Sequence, residues 1–398
     1  MKEIRIKNSI KLFEVDSLYD QLNENSYNKI NLRLPRNIEK YFFSLAPSII
    51  QFAATWIRSE KRGELIIDLN IDDFLRAEKY YEHEIFFPII SLAWNEVTIS
   101  NPSGNNLRPF LRQFQNKFIL KMRKAEAMKG EKLLLLNLDH FDSESGILNF
   151  FEQNGSFNTT EEDLEVILKK PIIDDVIKYG KSKAAVQKKF SDLTGIIFEL
   201  MKNTFEWGKE NELGRPWNPN IRGLYIRSYK KTQLNILDDN ASDKIMTNYF
   251  SHPSLETNDL QQLFFIEISV FDTGSGFIKK FNNKHNIKDD FQILKSCLIK
   301  HQTSSVGNLE NDKGIGLDRI LSLLDDRGFI RIKTDKYCVY RNMINDPYRL
   351  AENFNPDKMQ IFDWNTGSEK LLSLNNLCSG TLVSVLYPIS FTNKNEDE

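Results

Sequence analysis

Two hydrophobic periods alternate along this chain, and that alternation limits the fold more than any other feature. Lys29 to Leu34 (KINLRL) alternates polar and apolar residues as a half-buried strand does. Pro35-Arg36-Asn37 breaks the run, and Tyr41 to Ile57 follows with apolar residues at helical spacing. Glu64 to Leu69 (ELIIDL) and Lys132 to Leu138 (KLLLLNL) read as buried strands, with helical stretches over 85–95 and 107–129 between them. Strands that alternate with helices predict α/β layers around a shared core. Further on, a long helix is expected over Lys183 to Trp207, stopped at Gly208. Strands are expected near 222–229, 263–271, 329–334, 358–364 and 381–387, with a short helix from Gly316.

The polar stretch Phe151 to Asp163 (FEQNGSFNTTEED) is the best candidate linker. It divides the 398 residues into an N-terminal α/β domain, 1–165, and a second domain, 171–392. The charged tail Asn393 to Glu398 is expected to fray. No internal repeat is visible.

Composition excludes several classes. Lys and Arg number 53 against 55 Asp and Glu, a formal net charge of −2. That balance argues against a chain devoted to nucleic-acid backbones or anionic membranes. Three cysteines without a C-x-x-C pair, and five scattered histidines, speak against a zinc module or a disulfide framework. The N-terminus lacks the apolar run of a signal peptide, and Ser44 to Ile57, closed by Arg58, is too short to span a bilayer. A cytoplasmic protein is expected.

Four segments carry candidate chemistry. In the long helix, Glu199, Asn203 and Glu206 stand at i, i+4 and i+7 and share one face, opposite an apolar stripe that includes Leu193, Ile197 and Leu200. A carboxylate and an amide one turn apart can hold a water and a hard divalent cation together, although a solvated polar face has the same pattern. The strand Phe264 to Phe271 delivers Asp272 at its carboxyl end, followed by Thr273, Gly274, Ser275 and Gly276. An ionised carboxylate there only accepts hydrogen bonds and can select an exocyclic amino group, while the glycines let backbone approach a flat ligand. Lys313-Gly314-Ile315-Gly316-Leu317 places glycines directly before an amphipathic helix, an arrangement that favours phosphate without matching a Walker A loop. Ser379-Gly380-Thr381 opens a late strand that Pro388 ends.

Taken in order, these four segments resemble the GHKL superfamily of gyrase B, Hsp90 chaperones, histidine kinases and MutL proteins. Glu199 and Asn203 look like its N box, Asp272, Gly274 and Gly276 its G1 box, Gly314 and Gly316 its G2 box, and Gly380 with Thr381 its last element. The resemblance covers roughly residues 180–390. It implies a Bergerat-type α+β sandwich in the second domain, with ATP held between sheet-packed helices under a lid at about 277–313. By that resemblance Asp272 takes the adenine amino group with support from Thr381, and Asn203 holds Mg²⁺. Gly314, Ile315, Gly316 and Leu317 contact the phosphates, and Glu199 activates the attacking water. Glu206 stands where relatives carry Asp and keeps the charge near the nucleotide. His301-Gln302-Thr303-Ser304 is similar to the H-x-T-S segment of MutL-like lids, with Ser305 in place of the family's lysine. The family further implies an ATP-driven switch that dimerises and acts on a protein partner, in settings that include bacterial stress response and phage defence. Two alternatives stand beside it: a GHKL-type histidine or serine kinase, and a non-hydrolysing ATP sensor. His83-Glu84-Ile85-Phe86-Phe87-Pro88 fits the H-E-x-x-x-P pattern of a phospho-accepting histidine, but its apolar surroundings favour a structural His83.

Overall fold

The computed structural model describes residues 2–24, 29–39, 42–72, 74–211, 213–276, 278–279, 289–298, 316–349 and 358–389. Its strands are β1 (Lys2–Arg5), β2 (Ile30–Leu34), β3 (Arg62–Ile67), β4 (Ile99–Ser100), β5 (Lys132–Leu138), β6 (Glu152–Gln153), β7 (Ser156–Phe157), β8 (Ile221–Thr232), β9 (Gln262–Asp272), β10 (Phe329–Thr334), β11 (Tyr337–Asn342), β12 (Phe362–Asp363) and β13 (Thr381–Pro388). Its helices are α1 (Val15–Asn23), α2 (Leu45–Arg58), α3 (Phe74–Tyr81), α4 (Phe86–Ala93), α5 (Arg108–Arg123), α6 (Ser143–Gly146), α7 (Glu161–Lys169), α8 (Gly180–Lys188), α9 (Phe190–Trp207), α10 (Gln233–Asp239), α11 (Lys244–Phe250), α12 (Asp290–Cys297) and α13 (Gly316–Leu323). Among the described residues no helix is long and apolar enough to cross a membrane.

The expected mixture of helix and sheet is present, in two sheets of opposite character. β1-β2-β3-β4 form a parallel sheet, the order that helical crossovers between successive strands produce. The larger sheet runs β12-β11-β10-β13-β9-β8-β5, and every neighbouring pair in it is antiparallel.

Strand pairing crosses the expected domain border. β5, from the first part of the chain, is the edge strand of the larger sheet, in register with β8 from Lys132↔Arg227 to Leu138↔Ile221. The stretch read as a linker holds the β6–β7 hairpin, and Phe151 and Glu152 within it are buried. Between 165 and 171 the backbone stays helical, because α7 runs to Lys169 and passes into a π-helical turn, Lys170–Val176. Buried residues of both parts, from Ile4 to Ile389, form one continuous apolar cluster.

The period-2 geometry of β9 divides the work of the larger sheet. Glu267 and Ser269 point to α2: Glu267 accepts from the Ser44 backbone N–H at 2.9 Å, and Ser269 bonds Ser384, which in turn bonds Ser44. Asp272 points to the other face, where α9 packs on β8 and β9, with α7 and α13 against α9. The helix expected over 183–207 is two helices, because Lys189 leaves helical geometry between α8 and α9.

Candidate functional site

Register brings the late Gly-Thr pair to the Asp272 strand end. Leu382 of β13 pairs with Phe271, so Gly380 and Thr381 arrive at the level of Asp272. The approach is close: a Cβ on Gly380 would lie 2.0 Å from the Asp272 carbonyl oxygen, and φ there is +74°. Only glycine enters such a contact in the left-handed region without strain. Thr381 Oγ1 lies 3.0 Å from Thr334 Oγ1, so β10 supplies a second hydroxyl on the same face. Asp272 is buried, and its Oδ1 accepts from the Gly274 N–H at 2.8 Å. The end of α9 closes in from the side, with the Gly208 position 2.8 Å from the Asp272 Cβ for an added methyl.

α9 packs on β8 and β9 beside this strand end. Its last three turns carry Glu199, Asn203 and Glu206, each half-buried. Burial pushes the Glu199 carboxyl up, partly opposed by Lys202 and Arg319. Arg319 comes from α13, and its Nη1 stands 3.7 Å from Glu199 Oε1. Gly316 opens α13, and Leu317 is buried beside it. Glu199 and Asn203 thus lie on α9, which packs on β8 and β9; Asp272 and Thr381 lie at neighbouring ends of β9 and β13, with Gly274 and Gly276 in the turn after β9; and Gly316 and Leu317 open α13, which packs on α9. Glu206 also lines a neighbouring open cleft of about 1490 Å³ that includes Phe205, Lys209, Glu152 and Asp139. Thr303, Ser304, Gly314, Ile315 and most of the expected lid lie outside the described residues. Among the described residues no cluster of three His, Cys, Asp or Glu side chains is arranged for a metal.

Sequence reasoning missed several neighbours. Asp335, in the β10–β11 turn, packs its carboxylate 2.5 Å from where a Cβ on Gly276 would lie and accepts from the Ile278 N–H at 3.1 Å. Burial pushes its pKa up to about 6. In the sequence it is an ordinary turn aspartate, so nothing marks it. Behind the strand ends, α2 delivers a row of contacts: Gln51 donates to the Lys333 and Gly380 carbonyls, Thr55 Oγ1 accepts from the Ser379 N–H, and Arg58 donates to the Pro219 carbonyl at 2.5 Å. Burial lowers the Arg58 pKa to about 9. These are helical residues whose partners lie more than 160 positions away, beyond any local pattern.

His83 is mostly buried, stacks on Phe86 at 4.4 Å and faces Glu84, Lys132 and Arg227. Burial lowers its pKa to about 3. Comparison with protein-family models, curated proteins and solved structures returned no match.

Proposed function

We propose that this chain binds Mg²⁺-ATP against the α9 face of the larger sheet and hydrolyses it to switch the conformation of the whole molecule toward a protein partner. The observation that carries the reading is convergence. α9 with Glu199 and Asn203 packs on the strand that ends at Asp272, β13 brings Thr381 beside that end, and the helix opened by Gly316 packs on α9, in the chain order and with the residue types of a GHKL nucleotide site.

Each residue has chemistry suited to its role. Asp272, at a buried strand end, accepts the adenine amino group, and Thr381 with Thr334 offers hydroxyls on the same face. Asn203 supplies a neutral oxygen for Mg²⁺, which takes few protein ligands, keeps several waters and is otherwise held by phosphates. When bound, the ion neutralises charge on the phosphoryl group. Glu199, half-buried with a raised pKa, is poised to take the proton of an attacking water. The start of α13 at Gly316 suits phosphate, because the first backbone N–H groups of a helix have no partner within it. Differential contacts with ATP and ADP then bias two states of the protein. Support for an effect on the whole chain comes from α2, which bonds Ser379, Gly380 and the Pro219 loop directly behind the site.

The test compares wild type with Asp272→Ala and Glu199→Ala by ATP titration and phosphate release. Asp272→Ala is expected to abolish binding, and Glu199→Ala to retain binding while losing hydrolysis. Full ATP affinity in Asp272→Ala would overturn the reading. Radiolabel from the γ-phosphate that stays on the chain and disappears in His83→Ala would replace it with a kinase, against the buried setting of that imidazole.

A further inference from the structure

Glu199 shares its arginine with a second carboxylate, and that carboxylate belongs to no motif. Arg319 Nη2 donates to Glu161 Oε2 at 2.8 Å, and Nη1 pairs with Glu161 Oε1 while lying 3.7 Å from Glu199 Oε1. The fork is thus bidentate to Glu161, and only its outer nitrogen reaches Glu199. A separate feature of the helix makes room for the pair. A Cβ on Gly195, one turn before Glu199, would sit 3.0 Å from Arg319 Nη2 and 3.4 Å from Glu161 Oε2. Glycine inside a helix costs about 1 kcal/mol relative to alanine, so this opening in the middle of α9 carries a stability cost.

We propose that Arg319 is the positioning residue for Glu199, and that Glu161, reaching in from α7, sets how strongly it acts. The inference rests on reading Glu199 as the base. A base must be charged and aimed before it can take a proton, and burial opposes the charge at Glu199. Arg319 opposes that burial effect from α13. Glu161 competes for the same guanidinium from the first turn of a helix fixed by the Thr160–Asp163 capping box. The other charges facing Glu199 are Lys202 and Glu206 of its own helix, and Asp192 acts on Arg319. Any movement of α7 against α13 therefore changes the charge state of Glu199. Helix α7 lies outside the segment that carries the four motifs, so the upstream part of the chain gains a direct hold on the chemistry.

The experiment labels the full chain with [5-¹³C]glutamate and identifies the Glu199 carboxyl by its loss in Glu199→Gln. Its titration midpoint is then followed in wild type, Arg319→Gln, Arg319→Lys and Glu161→Gln, alongside ATP binding. Arg319→Gln should raise the midpoint by roughly half a pH unit, and Glu161→Gln should lower it. Arg319→Lys, which keeps the charge, should stay near wild type. The acid limb of the hydrolysis rate should follow the same displacements with KM unchanged. Midpoints that do not move, or that move the same way in both glutamine variants, overturn the inference while ATP binding stands. A wild type that binds no ATP overturns the functional reading and this inference together.

Discussion

Replacing Gly380 with alanine tests the tightest contact of the candidate site. Two costs follow from its geometry. An alanine at φ +74° pays roughly 1–2 kcal/mol for the left-handed conformation. Its methyl would also meet the Asp272 carbonyl oxygen at 2.0 Å, the Asp272 carbonyl carbon at 2.6 Å and the Thr273 Cα at 2.7 Å. All three are main-chain atoms, so no rotamer change relieves the clash and β13 must separate from β9. Forced displacement of this kind in a packed interior costs about 1–3 kcal/mol, which brings the expected loss to about 2–5 kcal/mol. Gly104→Ala supplies the control, because φ there is +81° but a Cβ meets nothing within 4 Å. It should cost only the conformational part, reduced by the lower entropy of its unfolded chain. Gly276→Ala should fall between them: φ is +88°, but the nearest atoms belong to the rotatable Asp335 carboxylate. Urea unfolding followed by tryptophan fluorescence ranks the three variants, with the change in midpoint read at constant slope. A Gly380→Ala variant within about 0.5 kcal/mol of Gly104→Ala would show that the close approach of β13 to the Asp272 peptide is absent.

Two further predictions concern buried charge. Arg222 is fully buried and bonds Asp139 Oδ2 at 2.8 Å and Glu152 Oε1, so Arg222→Met leaves two carboxylates without it and should cost about 3–5 kcal/mol in urea unfolding. Adding Glu152→Gln should recover part of that loss, and no recovery would refute the assignment of the pair. Asp335 has a folded pKa raised from 3.8 to about 6, so it stabilises below pH 4 and loses that contribution as pH rises through 6. Asp335→Asn should therefore gain stability over wild type between pH 4 and 7, by at most about 3 kcal/mol, then hold level. A difference that is flat across this range contradicts a buried, neutralised Asp335.

What the sequence made legible was local. The strand ending at Asp272 and the apolar stripe of α9 can be read because each pattern repeats within a few residues, and β9 and α9 appear where those patterns fall. Helix α5 ends at Arg123 rather than 129, as Ala125 turns into the left-handed region, which no period reports. KLLLLNL announces a buried strand without naming its sheet, since an unbroken apolar run carries no facing information. Only the structure pairs it with β8. The polar stretch after it resembles a linker because asparagine, glycine and threonine also make hairpins, and Phe151 anchors one here. Of the candidate site, the motif residues were visible. Their neighbours Arg319, Glu161 and Asp335 were not, because a charged residue is ordinary on any surface and gains meaning only from what faces it.

The placement of β5 also governs the order in which this molecule can be completed during synthesis. More than 80 residues separate Leu138 from Ile221, the nearest residue of the strand it pairs with. At about 5–20 residues per second, a ribosome needs roughly 4–17 seconds to make the intervening chain. Through that interval an apolar strand waits with an open edge, a state prone to pairing with the wrong partner. The first 140 residues therefore cannot reach their final form before the strands that flank the candidate site begin to emerge. Biogenesis ties the upstream layer to the sheet that carries the candidate site.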